Sequence, residues 1–160
     1  MSLTESNQMP TPVEVRFRRL RPEEGDAVAL PVYHSDQASG MDIRAALKQP
    51  MAIEPGRIAM VPTGFAVAIP PGYEIQVRPR SGLAIKHGIT VVNAPGTIDA
   101  DYRGEIMVGL INLGPEIFTI KRHDRIAQMV LARVDRALVV ESADLDRTIR
   151  QAGGFGHTGV

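Results

Sequence analysis

Apolar residues in this chain recur with period two over short runs, and turn residues cut those runs at close intervals. Val13-Glu14-Val15-Arg16-Phe17 alternates apolar and charged side chains, the mark of a half-buried strand. Met41 and Ile43 alternate with Asp42 and Arg44 in the same way. Residues 51–53 run into Pro55-Gly56, 57–61 into Pro62-Thr63-Gly64, and 65–69 into Pro70-Pro71-Gly72, after which 73–78 resumes the pattern. A turn about every eight residues suits a sandwich or barrel and leaves no room for the crossover helix of a parallel βαβ unit. Residues 89–92 and 106–111 read as buried strands, and 117–121 and 126–134 as later ones. The pattern predicts one helix, 81–86, with Ser81 as N-cap and His87-Gly88 as its stop.

Composition narrows this to a single domain of short strands and frequent turns, with twelve Pro and fifteen Gly spread along the chain. A chain of 160 residues can bury roughly 70% of its unfolded surface. With four Phe, three Tyr and no Trp, its core must rest on aliphatic side chains and Met. Eighteen basic and eighteen acidic residues cancel, so no global field favours nucleic acid, and any polyanion must be met by a local cluster of arginines and backbone N–H groups. The absence of cysteine excludes disulfides, thiolate catalysis and Cys-based zinc sites. His34, His87, His123 and His157 are too scattered for a zinc-binding pair on one helix. Residues 1–12 are polar and lack the apolar core of a secretory signal, and no run is long enough to span a bilayer. The expectation is a cytoplasmic protein with a disordered lead over 1–12, a β-domain over 13–140 and no membrane or nucleic-acid partner.

Candidate chemistry sits in three places. The segment Gly96-Thr97-Ile98-Asp99-Ala100-Asp101-Tyr102-Arg103-Gly104-Glu105-Ile106 places two carboxylates two residues apart, beside an aromatic and an arginine. Lying between two strand-like runs, it reads as a hairpin, a rigid mount for a general base, although taken alone a solvated Asp-rich turn is the better reading. Arg78-Pro79-Arg80-Ser81-Gly82 sets two arginines and a serine at a helix start, either a phosphate-binding terminus or an ordinary cap. Residues 141–160 lose strand periodicity and end in Gly-Gly-Phe-Gly-His-Thr-Gly. That end is either a loose tail or a Gly-rich arm able to wrap a triphosphate while Phe155 stacks on a base.

Together these segments resemble the homotrimeric dUTP pyrophosphatase (dUTPase) family, which is marked by five ordered motifs. They correspond here to Ala38-Ser39-Gly40-Met41-Asp42-Ile43-Arg44-Ala45, residues 78–84, residues 96–104, Arg125-Ile126-Ala127-Gln128-Met129 and residues 150–159. The resemblance runs from about residue 13 to the end. It implies a distorted jelly roll or β-barrel of many short strands with one short helix, assembled as a homotrimer with a mobile C-terminal arm. It further implies Mg²⁺-dependent water attack on the α-phosphorus of dUTP, giving dUMP and pyrophosphate, which keeps uracil out of DNA and supplies dUMP for thymidylate synthesis.

Residue by residue, the resemblance makes Asp99 the general base and Tyr102 the aromatic that packs under the deoxyribose and excludes a 2′-hydroxyl. Asn93 and hairpin backbone groups around Thr97, Ile98 and Met107 correspond to the uracil-reading edge. Arg80, Ser81 and Gly82 correspond to the phosphate-binding segment, and Gln128 to a side chain contacting phosphate or water. Asp42 matches the carboxylate that holds Mg²⁺ through water. From the arm, 141–160, Phe155 would cover the uracil, while Arg150, Gly156, His157 and Thr158 would reach the outer phosphates of a site built by neighbouring subunits. One departure stands at Gln151, where the family commonly has glycine. Two rivals share part of the pattern. A related dCTP deaminase would need a catalytic Glu near the hairpin, where this chain offers Asp99. A non-catalytic dUTP-binding trimer would have no use for a base there.

Overall fold

The computed structural model describes residues 12–21 and 25–154. In chain order the elements are β1 (Arg16–Arg19), β2 (Met41–Arg44), β3 (Met51–Ile53), β4 (Ile58–Pro62), β5 (Phe65–Ala68), β6 (Tyr73–Arg78), α1 (Ser81–His87), β7 (Ile89–Val91), β8 (Gly96–Ile98), β9 (Met107–Asn112), β10 (Phe118–Ile120) and β11 (Arg125–Arg133). Each predicted strand is present with its ends within a few residues. In the first, alternating burial begins at Val13 although the ladder starts only at Arg16. All strand pairs are antiparallel, in four sheets: β1-β5, β10-β3, β2-β11-β6-β8 and β4-β9-β7. This is an all-β distorted jelly roll of separate short sheets rather than one closed barrel.

The core lies between the sheets and is aliphatic, as the scarcity of aromatics requires. Ile43, Ile53, Ile75, Ile89, Leu110, Ile120, Ile126 and Met129 are almost wholly excluded from solvent. Each such side chain stabilises the fold by about 2 kcal/mol through burial. Among the described residues two polar side chains are equally buried, and both are hydrogen-bonded. Asn112 donates to the carbonyls of Ile53 (2.8 Å) and Glu116 (2.7 Å) and accepts from Gly114 N–H (2.9 Å), and Thr63 Oγ1 donates to the Ile106 carbonyl (2.8 Å). Among the described residues no helix is long and apolar enough to cross a membrane.

Two expectations need correction. The strand-like runs at 89–92 and 106–111 do pair, as β7 with β9, but the segment between them is not a simple hairpin turn. An additional strand, β8, leaves that pair to lie antiparallel against β6, with Ile98 opposite Ile75 and Gly96 opposite Val77. Residues 99–106 therefore cross from one sheet to another. The second correction concerns α1, whose N-cap is Arg80 (φ −92°, ψ 124°), not Ser81. The Arg80 carbonyl accepts from Leu83 N–H (3.1 Å) and Ala84 N–H (3.0 Å), and no side chain caps the helix. The helix stop is as expected: Gly88 adopts φ 69°, and a Cβ there would fall 2.4 Å from the Gly114 nitrogen.

Candidate active site

Five of the predicted site residues converge on one cleft. Thr97, Ile98, Asp99, Tyr102 and Met107, with Met60, Glu105 and Ile106, line an open space of about 340 Å³. β8 delivers Thr97 and Ile98, and the crossing segment turns at once: Tyr102 N–H donates to the Asp99 carbonyl (3.1 Å), placing Asp101 in the turn. Asp101 thus has a structural position, while Asp99 stands exposed at the end of β8. A second open cleft of about 640 Å³ meets the first at Asp99 and is lined by Tyr73, Glu74, Asp101, Arg103 and Arg136 among others. Among the described residues no side chain bonds the Asp99 carboxylate, which leaves both oxygens available to a water.

Tyr102 is fixed at both ends despite its exposure. Its hydroxyl donates to the Glu105 carbonyl (3.0 Å), and its ring covers Gly104, where a Cβ would fall 2.4 Å from the phenolic oxygen. Glycine is required there by contact rather than by backbone angle. Asn93 lies in the turn before β8 with its amide over Gly96, 3.2 Å from where a Cβ would stand.

A second group assembles on the β2-β11-β6 sheet from three segments distant in sequence. The register sets Gln128 opposite both Asp42 and Arg78. Asp42, largely buried, accepts from Arg80 Nε at Oδ1 (3.1 Å), while its Oδ2 meets Arg125 Nη1 (3.2 Å) and His34 Nε2 (3.1 Å). Arg80 thus stands at the start of α1 with its carbonyl accepting the first intrahelical bonds, while its guanidinium, which has only donors and cannot cap N–H groups, turns to Asp42. The Ser81 hydroxyl consequently takes no part in capping. Gly82 is surrounded by open space, so packing does not explain its lack of a side chain. Gln128 donates to the Pro79 carbonyl (3.0 Å) and its Oε1 would lie 2.4 Å from a Cβ on Gly40, locking three segments together.

The cluster has the character of an anion site: two arginines, partly neutralised and oriented by one carboxylate. Among the described residues no three His, Cys, Asp or Glu side chains are grouped so as to hold a metal ion. With both Asp42 oxygens already engaged, the donor set fits a divalent cation that arrives with phosphates and is held through water, not one caged by protein. Arg125 and His34 belong to this cluster but were not singled out from sequence. Arg125 falls inside a motif that would have suggested it, whereas nothing local marks His34.

The two groups do not meet within one chain. Ile98, just before Asp99, lies level with Ile75 on β6, whereas the cluster lies at Arg78 and beyond. Three strand residues correspond to roughly 10 Å. Nor does Arg150 reach either group: it bonds within its own turn, Nε to the Gly153 carbonyl at 2.7 Å. Gln151 in that turn has φ 45°, a left-handed conformation that favours glycine, which gives the departure at this position a physical consequence. Phe155, Gly156, His157 and Thr158 lie outside the described residues, as do residues 1–11 of the lead expected over 1–12.

A family model described as dUTPase matches residues 26–159. The deoxyuridine 5'-triphosphate nucleotidohydrolase of Desulfotalea psychrophila is 61% identical over 147 residues, covering 92% of this chain and 98% of that protein. The protein of the same name from Caulobacter vibrioides is 56% identical over 155 residues, covering 95% and 98%. The fold is similar to that of Staphylococcus bacteriophage 80alpha dUTPase with dUpNHpp, with a TM-score of 0.81 at 22% identity over 92% of this chain and 99% of that one. It is also similar to a mutant dUTPase from phage phi11 of S. aureus that coordinates a structural Mg(II) ion, with a TM-score of 0.73 at 21% identity over 84% and 99%.

Proposed function

This chain belongs to the dUTPase family, and we propose that it hydrolyses dUTP to dUMP and pyrophosphate at a site divided between copies of itself. The observation that carries the chemistry is the cleft that presents an unpaired Asp99 beside a fixed Tyr102. Asp99 orients and deprotonates a water that attacks the α-phosphorus; the P–O bond to the β-phosphate breaks and pyrophosphate leaves. A carboxylate is a weak base beside the hydroxide it must generate, so most of the acceleration comes from alignment and charge neutralisation. Arg80, Arg125 and the Ser81 and Gly82 end of α1 supply that neutralisation, with Gln128 keeping their three segments in register. Tyr102 packs under the deoxyribose, where a 2′-oxygen would collide with a ring that cannot retreat. Asn93 and the backbone at Thr97, Ile98 and Met107 read the uracil edge.

Mg²⁺, held by Asp42 through water, would offset the triphosphate charge when bound. The separation along β6 supports the division between copies: Asp99 and the arginine cluster of one chain lie too far apart to serve one phosphate, whereas those of adjacent copies would converge on it. A homotrimer fits this requirement. Residues 141–160 form the arm that closes a neighbour's site, with Arg150, Gly156, His157 and Thr158 on the outer phosphates and Phe155 over the uracil. Supporting this, Leu138, Val139, Leu145 and Ile149 are almost fully exposed on the single chain, an apolar row that a neighbouring copy would cover. The expected setting is the cytoplasm, where the enzyme would keep uracil out of DNA and supply dUMP.

The test is pyrophosphate release across the common nucleoside triphosphates, with and without a chelator. Rapid turnover of dUTP is expected, with little from UTP, dTTP or dCTP and a marked fall on chelation. Equal turnover of UTP would remove the role assigned to Tyr102, and no turnover of dUTP would remove the proposal.

A further inference from the structure

The crossing segment 99–106 carries Asp99 and Tyr102, yet its first half makes few bonds to the rest of the domain. Its anchor lies at 105–106. Ile106 N–H donates to the Phe65 carbonyl (2.8 Å), and the Ile106 carbonyl accepts from Thr63 N–H (3.2 Å) and Thr63 Oγ1 (2.8 Å). One residue earlier, Glu105 Oε1 accepts from Gly64 N–H (2.9 Å) and from Arg21 Nη2 (2.6 Å), and its Oε2 faces Arg21 Nη1 (3.3 Å). Gly64 has φ 78°, and its carbonyl accepts from Leu20 N–H (3.0 Å). The Glu105 carboxylate therefore joins three segments: the end of β1, the β4–β5 turn and the entry to β9. Its backbone carbonyl is also the acceptor for the Tyr102 hydroxyl.

We propose that the Arg21–Glu105 pair is a positioning device for deoxyribose selection: it fixes the carbonyl to which Tyr102 is tethered and so keeps the sugar-facing ring from yielding. Although Glu105 borders the cleft, its carboxylate is turned to Arg21 and the Gly64 N–H, so both side chains act through Tyr102. A two-pronged guanidinium–carboxylate contact fixes orientation as well as distance, as this role requires. Burial pushes the Glu105 carboxyl up, but the Arg21 guanidinium and the Gly64 N–H outweigh it and hold it below the ordinary carboxylate range. The pair thus stays charged throughout the neutral range. Arg21 lies about eighty residues from the motif it serves, and no local pattern marks it.

The inference rests on the proposed dUTPase activity, and two readouts separate their failures. In full-length Arg21→Gln and Glu105→Gln, the dUTP-over-UTP ratio of kcat/KM should fall by about tenfold, mostly through faster use of UTP and a raised KM for dUTP. Their double variant should lose no more than either single, because both remove one interaction. Independently of activity, amide exchange over residues 99–106 in the substrate-free protein should accelerate at least about fivefold in Arg21→Gln. An unchanged ratio in a wild-type-like folded Arg21→Gln, or unchanged exchange over 99–106, would overturn the positioning role. If the wild type discriminates but Glu105→Gln does not fold, Arg21→Gln decides alone. A wild type inactive on dUTP would overturn the activity and leave the exchange measurement to decide the brace.

Discussion

The base-bearing segment and the arginine cluster solve opposite problems. Asp99 stands at the end of a three-residue strand with its carboxylate unengaged, held in place by backbone and by its neighbours' side chains. Asp42, the other carboxylate of the site, is largely buried and engaged by Arg80, Arg125 and His34. A base must keep its lone pairs for water, so rigidity has to come from elsewhere: the Asp99–Tyr102 turn, the Tyr102 tether and the Glu105 anchor. An anion-binding cluster has the reverse need. Two guanidiniums close together repel, and a carboxylate between them fixes their spacing while leaving net positive charge for phosphates. Similar residue types thus take different roles according to what holds them.

Substitution can break each half separately. The largest effect is expected from Asp99→Asn, which keeps shape and removes basicity: kcat should fall by about 10³-fold with binding of a non-hydrolysable dUTP analogue retained. Near-normal turnover would show that the base lies elsewhere. Next comes Asp42→Asn, which leaves Arg80 and Arg125 facing a neutral amide. Here kcat/KM should fall by about thirtyfold, and stability, read from the denaturant midpoint at constant slope, by about 2 kcal/mol. The contrast between the two variants is itself a check, since Asp99→Asn should leave stability within about 0.5 kcal/mol of the parent. Smaller still is Gly104→Ala. The new methyl would displace the Tyr102 ring, lowering the preference for dUTP over UTP by about tenfold with little change in kcat.

Much of the domain could be read from its punctuation. Pro55-Gly56, Pro62-Thr63-Gly64 and Pro70-Pro71-Gly72 end strands where the structure ends them, and Gly88 stops α1 as a C-terminal glycine should. What escaped was non-local. β8 is three residues long and begins directly after the Asn93-Ala94-Pro95 turn, so no period could emerge, and its partner β6 cannot be inferred from local pattern. The hairpin reading failed for this reason. Ser81 looked like a cap because serine favours that position, but the first intrahelical bonds are accepted one residue earlier, at the Arg80 carbonyl, and residue preference alone does not fix a helix boundary to one residue. Arg21 and Glu105 acquire meaning only once β1, the β4–β5 turn and the crossing segment are brought together, and His34 only once it is brought against Asp42 on β2. Residues joined by a motif were legible; the residues that position them were not.

The central claim is that one active site draws Asp99 from one copy and the Asp42–Arg80 cluster from another. It is tested most directly by mixing two inactive variants, Asp99→Asn and Arg80→Gln, under conditions that exchange subunits. In randomly mixed closed oligomers about a quarter of the sites would combine an intact Asp99 with an intact Arg80, so activity should recover to roughly that fraction of the parent's. Recovery confined to the residual activity of the separate variants would contradict the account, since it would place both groups of a working site in the same chain.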